Sequence, residues 1–260
     1  MTDLGGARRP EFCTQRGFAF RFDWGMEGLE ALAAESAVIV VIDVLRFTTA
    51  VCCALEAGAT VFPYRWRDDT AVAYATERGA ALAGRRELGE PSLSPTDLLT
   101  LAAGSRLVLP SPNGSTLAFA ARESSGAHVL AGSLRNATAT AEAAWRLAAG
   151  GPISVIAAGE RWSTHDGPLR PAVEDMLGAG AVLAALDPSN AVSNPCCSPE
   201  AAAARAAFVA ARPRLYDMLC GCSSGQELLE RGWEDDVATS AAYDVSTTVC
   251  HLAGDQFVAV

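Results

Sequence analysis

Asp43-Val-Leu-Arg-Phe-Thr-Thr49 sets a carboxylate at the end of an apolar run, an arginine three residues later and two hydroxyls where a helix should begin. These are tools for anions and hard cations. A carboxylate there can hold Mg²⁺ or act as a nucleophile, a guanidinium grips phosphate in a bidentate fork, and a helix N-terminus offers free N–H groups to negative charge. The same residues also suit a plainer purpose, with Thr48 or Thr49 capping the helix and Arg46 neutralising Asp43. Two later turns repeat the theme: Ser111-Pro-Asn-Gly-Ser-Thr116, with Asn113-Gly114 at its apex, and Gly132-Ser-Leu-Arg-Asn136. Candidate phosphate-binding residues are therefore Thr48, Thr49, Ser111, Asn113, Gly114, Ser115, Thr116, Gly132, Ser133, Arg135 and Asn136. Glu160, Glu174 and Asp175 add three carboxylates that suit a base or a metal site, or partnership with Arg161 and Arg170. Asp43, Arg46 and Glu160 are the expected catalytic groups; Asp43, Glu174 and Asp175 are the expected metal ligands.

What the chain lacks narrows the chemistry. All 20 basic residues are arginine, which removes Schiff-base, pyridoxal-phosphate and P-loop lysine mechanisms. No cysteine has an arginine six positions on, Asp43-Val-Leu45 lacks the second acid of an Asp-x-Asp pair, and no Arg-His-Gly occurs. His128, His165 and His251 show no ligand spacing, and eight cysteines in two adjacent pairs, one C-x-C and two singles make no zinc framework. They read as reduced thiols without a catalytic role.

Each turn is preceded by a β-branched apolar run and followed by an alanine-rich stretch. The pairs are strand 37–44 with helix 50–57, 106–110 with 117–122, 128–131 with 137–149, and 153–157 with 170–186; further strands are expected at 18–22, 60–64 and 246–251. Near-continuous apolar strands alternating with helices predict an α/β fold, a three-layer α/β/α sandwich around a largely parallel or mixed sheet. Residues 18–186 would form the core, and 187–260 a helical elaboration with terminal strands completing the same fold. Within it, 187–199 reads as an exposed connection, and Ser198-Pro199-Glu200 and Ser224-Gly-Gln-Glu227 as helix starts. In the helix after 170, Val173, Met176, Leu177 and Gly180 should form the buried stripe with Glu174 and Asp175 flanking it. Loops after the strands' carboxyl ends converge in such sheets, so all four turns, the fourth at Gly159-Glu160, should line one cleft.

Composition agrees with a folded domain. Of 260 residues 50% are hydrophobic, and 20 basic against 30 acidic residues leave a net charge of −10. That balance argues against general nucleic-acid or anionic-membrane binding. The first ten residues do not read as a signal peptide and no stretch is long enough to span a bilayer, so a cytoplasmic location is expected.

Asp43-Val-Leu-Arg-x-Thr-Thr49, Asn113-Gly114, Gly132-Ser133 with Asn136, and Val173-Glu-Asp175 followed by Gly178-Ala-Gly180 together resemble the 2-phosphosulfolactate phosphatase (ComB) family. The similarity runs from Phe20-Arg-Phe-Asp-Trp-Gly25 to Ser223-Ser-Gly-Gln-Glu-Leu-Leu-Glu-Arg-Gly232 and Asp244-Val-Ser246. The resemblance implies a Mg²⁺-dependent cytoplasmic hydrolase that converts 2-phospho-3-sulfolactate to 3-sulfolactate and phosphate, a step associated with coenzyme M synthesis. The partner would be a small anionic substrate; the sequence leaves open whether the chain forms a homodimer. The chain departs from the family pattern at 84–95, where only Ser94-Pro95 and either Glu87 or Glu90 match, and that segment is expected to bear on substrate choice. Phosphatase action on another small phosphorylated acid, or anion binding without turnover, are the alternative readings.

Overall fold

The computed structural model describes residues 10–65, 69–86, 90–162, 167–187 and 196–260. Expectations resting on Glu87, His165, the first nine residues and most of the 187–199 connection lie outside them. A nine-stranded sheet runs through the molecule in the order β1-β7-β2-β6-β10-β11-β3-β5-β4. The strands are β1 (Phe20–Trp24), β2 (Val38–Ile42), β3 (Thr60–Tyr64), β4 (Ala81–Leu82), β5 (Arg106–Pro110), β6 (His128–Gly132), β7 (Ile153–Ala157), β10 (Cys250–Ala253) and β11 (Gln256–Ala259). A separate two-residue ribbon pairs β8 (Glu160–Arg161) with β9 (Leu169–Arg170).

All five residues of β2 are buried. Because successive side chains point to opposite faces, Val38, Val40 and Ile42 enter one hydrophobic layer and Ile39 and Val41 the other. Helices α6 (Ala137–Ala148), α7 (Val173–Leu186) and α8 (Pro199–Ala211) cover the first layer. On the other side lie α1 (Gly25–Leu32), α2 (Phe47–Glu56) and α5 (Gly114–Ser124). This is the three-layer arrangement expected. Short helices complete the order: α3 (Asp69–Glu77), α4 (Pro95–Leu98), α9 (Leu215–Gly221), α10 (Ser223–Glu230) and α11 (Glu234–Ala241).

The sheet is two parallel blocks joined by an antiparallel hairpin. β1, β7, β2 and β6 run one way, β3, β5 and β4 run the other way, and β10–β11 fits between β6 and β3 with antiparallel pairing on both sides. β5 therefore stands five strands from β2 and points against it. Strand-to-strand twist of roughly 20–25° per step accumulates to more than a right angle over that distance and curls the sheet around α2. Phe47 to Leu55 of α2 are accordingly all buried, a helix apolar on every side. The turn after β5 meets the turn after β2, with Gly114 N donating to Asp43 at 2.9 Å. At the contact, a Cβ on Gly114 would lie 2.3 Å from the Phe47 ring and 2.7 Å from the Asp43 carboxylate, so only glycine allows it.

Several local expectations shift. The expected strand at 246–251 begins at Cys250 and turns back as β11, which the sequence did not signal. His128 and His251, far apart in sequence, meet across β6 and β10 with Nδ1 and Nε2 3.4 Å apart. In α7 the predicted stripe is inverted at its start: Val173 is 37% exposed, whereas Glu174 and Asp175 are buried. Gly178 explains the inversion, since its bare Cα lets α7 settle on Val44 and Ile42, turning the first helical turn into the end of the sheet. Helix α8 starts as expected, with Ser198 Oγ accepting from Ala201 N at 3.1 Å, but α10 is capped by Cys222 rather than Ser224. Among the described residues no helix is long and apolar enough to cross a membrane.

Candidate active site

Asp43 is the first residue beyond β2, and the chain closes a tight turn behind it. Thr48 Oγ1 donates to the Asp43 carbonyl at 2.8 Å and accepts from the Asp43 N–H at 3.0 Å, while Thr49 Oγ1 donates to the Val44 carbonyl at 2.8 Å. Both threonines are fully buried, and their hydroxyls are spent on the backbone. The Asp43 carboxylate accepts from Phe47 N at 3.1 Å through one oxygen and from Gly114 N at 2.9 Å through the other. Burial raises its pKa to about 6, against the backbone donors and Ser111, with the Glu174 charge adding to the rise.

Asp43 opens into a cavity of ≈ 300 Å³ lined also by Arg46, Ser111, Asn113 and Glu160. Glu160 accepts from Asn113 Nδ2 at 3.0 Å, which joins the turn after β5 to the turn after β7. Its pKa rises to about 7, first from burial and then from Asp43 and Glu174. Asp175, directly behind, accepts from Val44 N at 2.7 Å and Gly159 N at 2.8 Å, clamping the turns after β2 and β7. Burial and its acidic neighbours lift its pKa well above the ordinary range. Glu174 is 2% exposed with Oε2 unpartnered, and it lines a neighbouring opening of ≈ 420 Å³. The four carboxylates therefore form one electrostatic group.

Arg46 does not pair with Asp43. Its Nη1 lies 2.6 Å from Asp236, a fully buried carboxylate of α11 that also accepts from Ser94 Oγ at 2.5 Å and stands 3.4 Å from Arg86 Nη1. Ser94 and Arg86 belong to the 84–95 segment, so the divergent stretch is tied into the site through Asp236.

The third turn is elsewhere. Gly132 ends β6 among Val40, Ile42 and Thr140, and Ser133 N and Oγ each donate to Asn136 Oδ1 at 2.9 Å. Asn136 Nδ2 donates to the Thr248 carbonyl at 3.0 Å and Arg135 Nη2 pairs with Glu56 at 3.1 Å. β10 covers this turn, so the single cleft comprises three turns, not four. Ser115 is fully buried with Oγ on the Leu109 carbonyl, Thr116 is half-buried in the first turn of α5, and neither lines the cavity.

Residues outside the expected site complete the wall. Ser224, Arg231 and Trp233 line the cavity from α10 and the turn that follows it. Arg46 Cζ is 4.6 Å and Arg231 Cζ 5.2 Å from the Trp233 ring centroid. The available signal was the Arg231-Gly-Trp233 turn followed by three acids, Glu234 to Asp236, which reads as a solvated face although Asp236 is wholly enclosed.

Residues 27–255 match the family model described as 2-phosphosulpholactate phosphatase. The chain belongs to the 2-phosphosulpholactate phosphatase family. A protein of Thermus thermophilus described as a probable 2-phosphosulfolactate phosphatase is 31% identical over 152 residues, 56% of this chain. The match spans 60% of that relative's length. All the residues that build the cavity fall inside the span of the 2-phosphosulpholactate phosphatase model, the Trp233 wall included.

Among the described residues no group of three or more His, Cys, Asp or Glu stands together as a ready ligand set for a metal. Mg²⁺ does not require one, since it keeps several waters and is commonly held by one or two carboxylates plus substrate phosphate. The unpartnered Glu174 Oε2 and the mutual elevation of Asp43, Glu160 and Asp175 fit a bound cation of that kind.

Proposed function

We propose that the protein is a Mg²⁺-dependent phosphomonoesterase acting on a small polyanionic ester, 2-phospho-3-sulfolactate, and releasing 3-sulfolactate and phosphate. The observation that carries this reading is the meeting in one cavity of two carboxylates, Asp43 and Glu160, with the guanidinium of Arg46 and the polar side chains of Ser111 and Asn113. Family membership supports the same class of reaction.

Asp43 and Glu174 would hold Mg²⁺, which supplies neutralisation of phosphate oxygens. Asp43 is fixed by two backbone N–H donors, which suits a cation ligand better than a mobile nucleophile. Glu160, oriented by Asn113, takes the proton from the attacking water, and the departing alkoxide takes its proton from solvent. Asp175 keeps the turns carrying Asp43 and Glu160 at a constant separation. Ser111 and Asn113 donate to phosphate oxygens.

The test is phosphate release from a panel of small phosphate esters with and without Mg²⁺. Turnover that is strongest for an ester bearing sulfonate and carboxylate, and is abolished by chelation, supports the reading. No release from any ester in the presence of Mg²⁺ overturns it.

A further inference from the structure

Both signs of charge line the cavity: Asp43, Glu160 and Glu227 bring carboxylates, and Arg46 and Arg231 approach the same Trp233 ring. A substrate whose non-reacting arm is itself anionic is repelled by the carboxylates and must turn that arm toward the arginines.

We infer that Arg46, Arg231 and Trp233 form a subsite for a sulfonate or carboxylate on the arm of the substrate that does not react. This inference rests on the phosphatase reading for its substrate class, though not for its geometry. Arg46 is firmly placed, with its side chain 15% exposed and held by Asp236, whose second oxygen is occupied by Ser94. Arg231 is loosely placed. Its contact with Glu227 at 2.7 Å is an i, i+4 surface pair between side chains 53% and 62% exposed, a pairing worth little in water. It is free to exchange that partner for a ligand in the cavity, whereas the buried Arg46 pair is not. The indole beneath them brings no competing acceptor, and it limits hydration of the guanidiniums from one side. A weakly hydrated planar guanidinium also matches an oxygen-rich, permanently ionised group such as sulfonate better than an ammonium would. Arg135, the second cation expected from sequence, is committed to Glu56 and lies outside the cavity.

The experiment is calorimetric titration with a phosphate-free three-carbon hydroxy acid carrying both sulfonate and carboxylate, with lactate as the monoanion of similar shape. Trp fluorescence is followed in parallel. The wild-type protein is expected to bind the dianion more tightly than lactate, with a fluorescence change that is lost in Trp233→Phe. Arg231→Gln should weaken dianion binding by roughly ten- to a hundredfold, and Arg231→Lys should recover part of the loss. Dianion binding by Arg231→Gln within about twofold of wild type, or no preference of the wild type for the dianion over lactate, overturns the subsite. Because no phosphate is transferred, the two readings fail separately. Arg231-dependent dianion binding without phosphate release from any ester removes the phosphatase reading alone, and phosphate release without such binding removes the subsite alone.

Discussion

The turns after β2 and β6 are written in the same grammar, yet one faces the cavity and the other is sealed. Each ends an apolar strand, carries an arginine and small polar residues, and opens a helix. In the first, Arg46 lies against Asp236 and Trp233 with the cavity in front of it. In the second, Arg135 is bound to Glu56 and the Thr239 carbonyl, and Asn136 ties the turn to Thr248 just before β10. What separates them is the hairpin β10–β11, inserted beside β6 from the far end of the chain. Local sequence decides that a turn presents polar groups; long-range pairing decides whether solvent or substrate ever meets them.

The largest effects are expected where a carboxylate is exchanged for its neutral amide. Glu160→Gln and Asp43→Asn are expected to lower kcat by about 10²- to 10⁴-fold while the fold survives, and Asp43→Asn should also raise the Mg²⁺ concentration needed for half-maximal turnover. Full activity in Asp43→Asn with a lowered Tm would make this turn structural, like its counterpart after β6.

The second turn should give the opposite pattern. Arg135→Gln leaves the part-buried Glu56 without its partner, so it is expected to cost about 1–2 kcal/mol of stability. Its kcat/KM should stay within about twofold of wild type, as it removes nothing that meets substrate. Arg46→Gln should instead raise KM by about tenfold, and denaturant melts and kinetics of the two variants side by side measure the contrast.

The legible parts of this molecule are those whose cause is local. β2, β5, β6 and β7 were readable because strands buried on both faces are continuously apolar, and Asp43, Arg46, Asn113 and Glu160 were readable because they follow such strands directly. The insertion of β10–β11 was not, since pairing of Cys250 with Ala131 and of Phe257 with Val61 joins segments more than a hundred residues apart. Nor was Asp236: three acids in a row at the start of a short helix look solvated, and only the convergence of Arg46, Arg86 and Ser94 gives the third a place inside. Glu174 and Asp175 were recognised as chemistry but assigned the wrong face, because the stripe argument takes no account of how deeply a glycine lets a helix sink onto a strand.

Glu160 titrates near 7 in the folded protein against an ordinary 4.5, and Asp43 near 6 against 3.8. Both are raised, so the folded state holds protons that the unfolded chain releases. The resulting stabilisation is complete below the ordinary values and is lost as pH rises through 6 and 7. Glu160→Gln is therefore expected to match wild type near the acid end of that window and to exceed it by about 1–3 kcal/mol above the upper end. A difference independent of pH would mean that Glu160 is not held in its protonated form by the cavity.

The smallest expected effect concerns the thiols. None of the eight cysteines lines the Asp43 cavity, and Cys52, Cys53 and Cys250 are fully buried around the sealed turn, by Arg135 and Asn136. Burial drives the Cys53 thiol up to about 12, and Cys222, which reaches the neighbouring opening, is likewise raised to about 12 by burial and by Glu174. Thiols so far above neutral pH present almost no thiolate, the form that reacts with an alkylating reagent. Alkylation under native conditions should therefore modify only surface thiols such as Cys196 and leave turnover within about a factor of two. The modified positions can be read by mass spectrometry. Inactivation that substrate prevents, with the label on Cys222, would move the reacting centre from the Asp43 cavity to the opening beside Glu174.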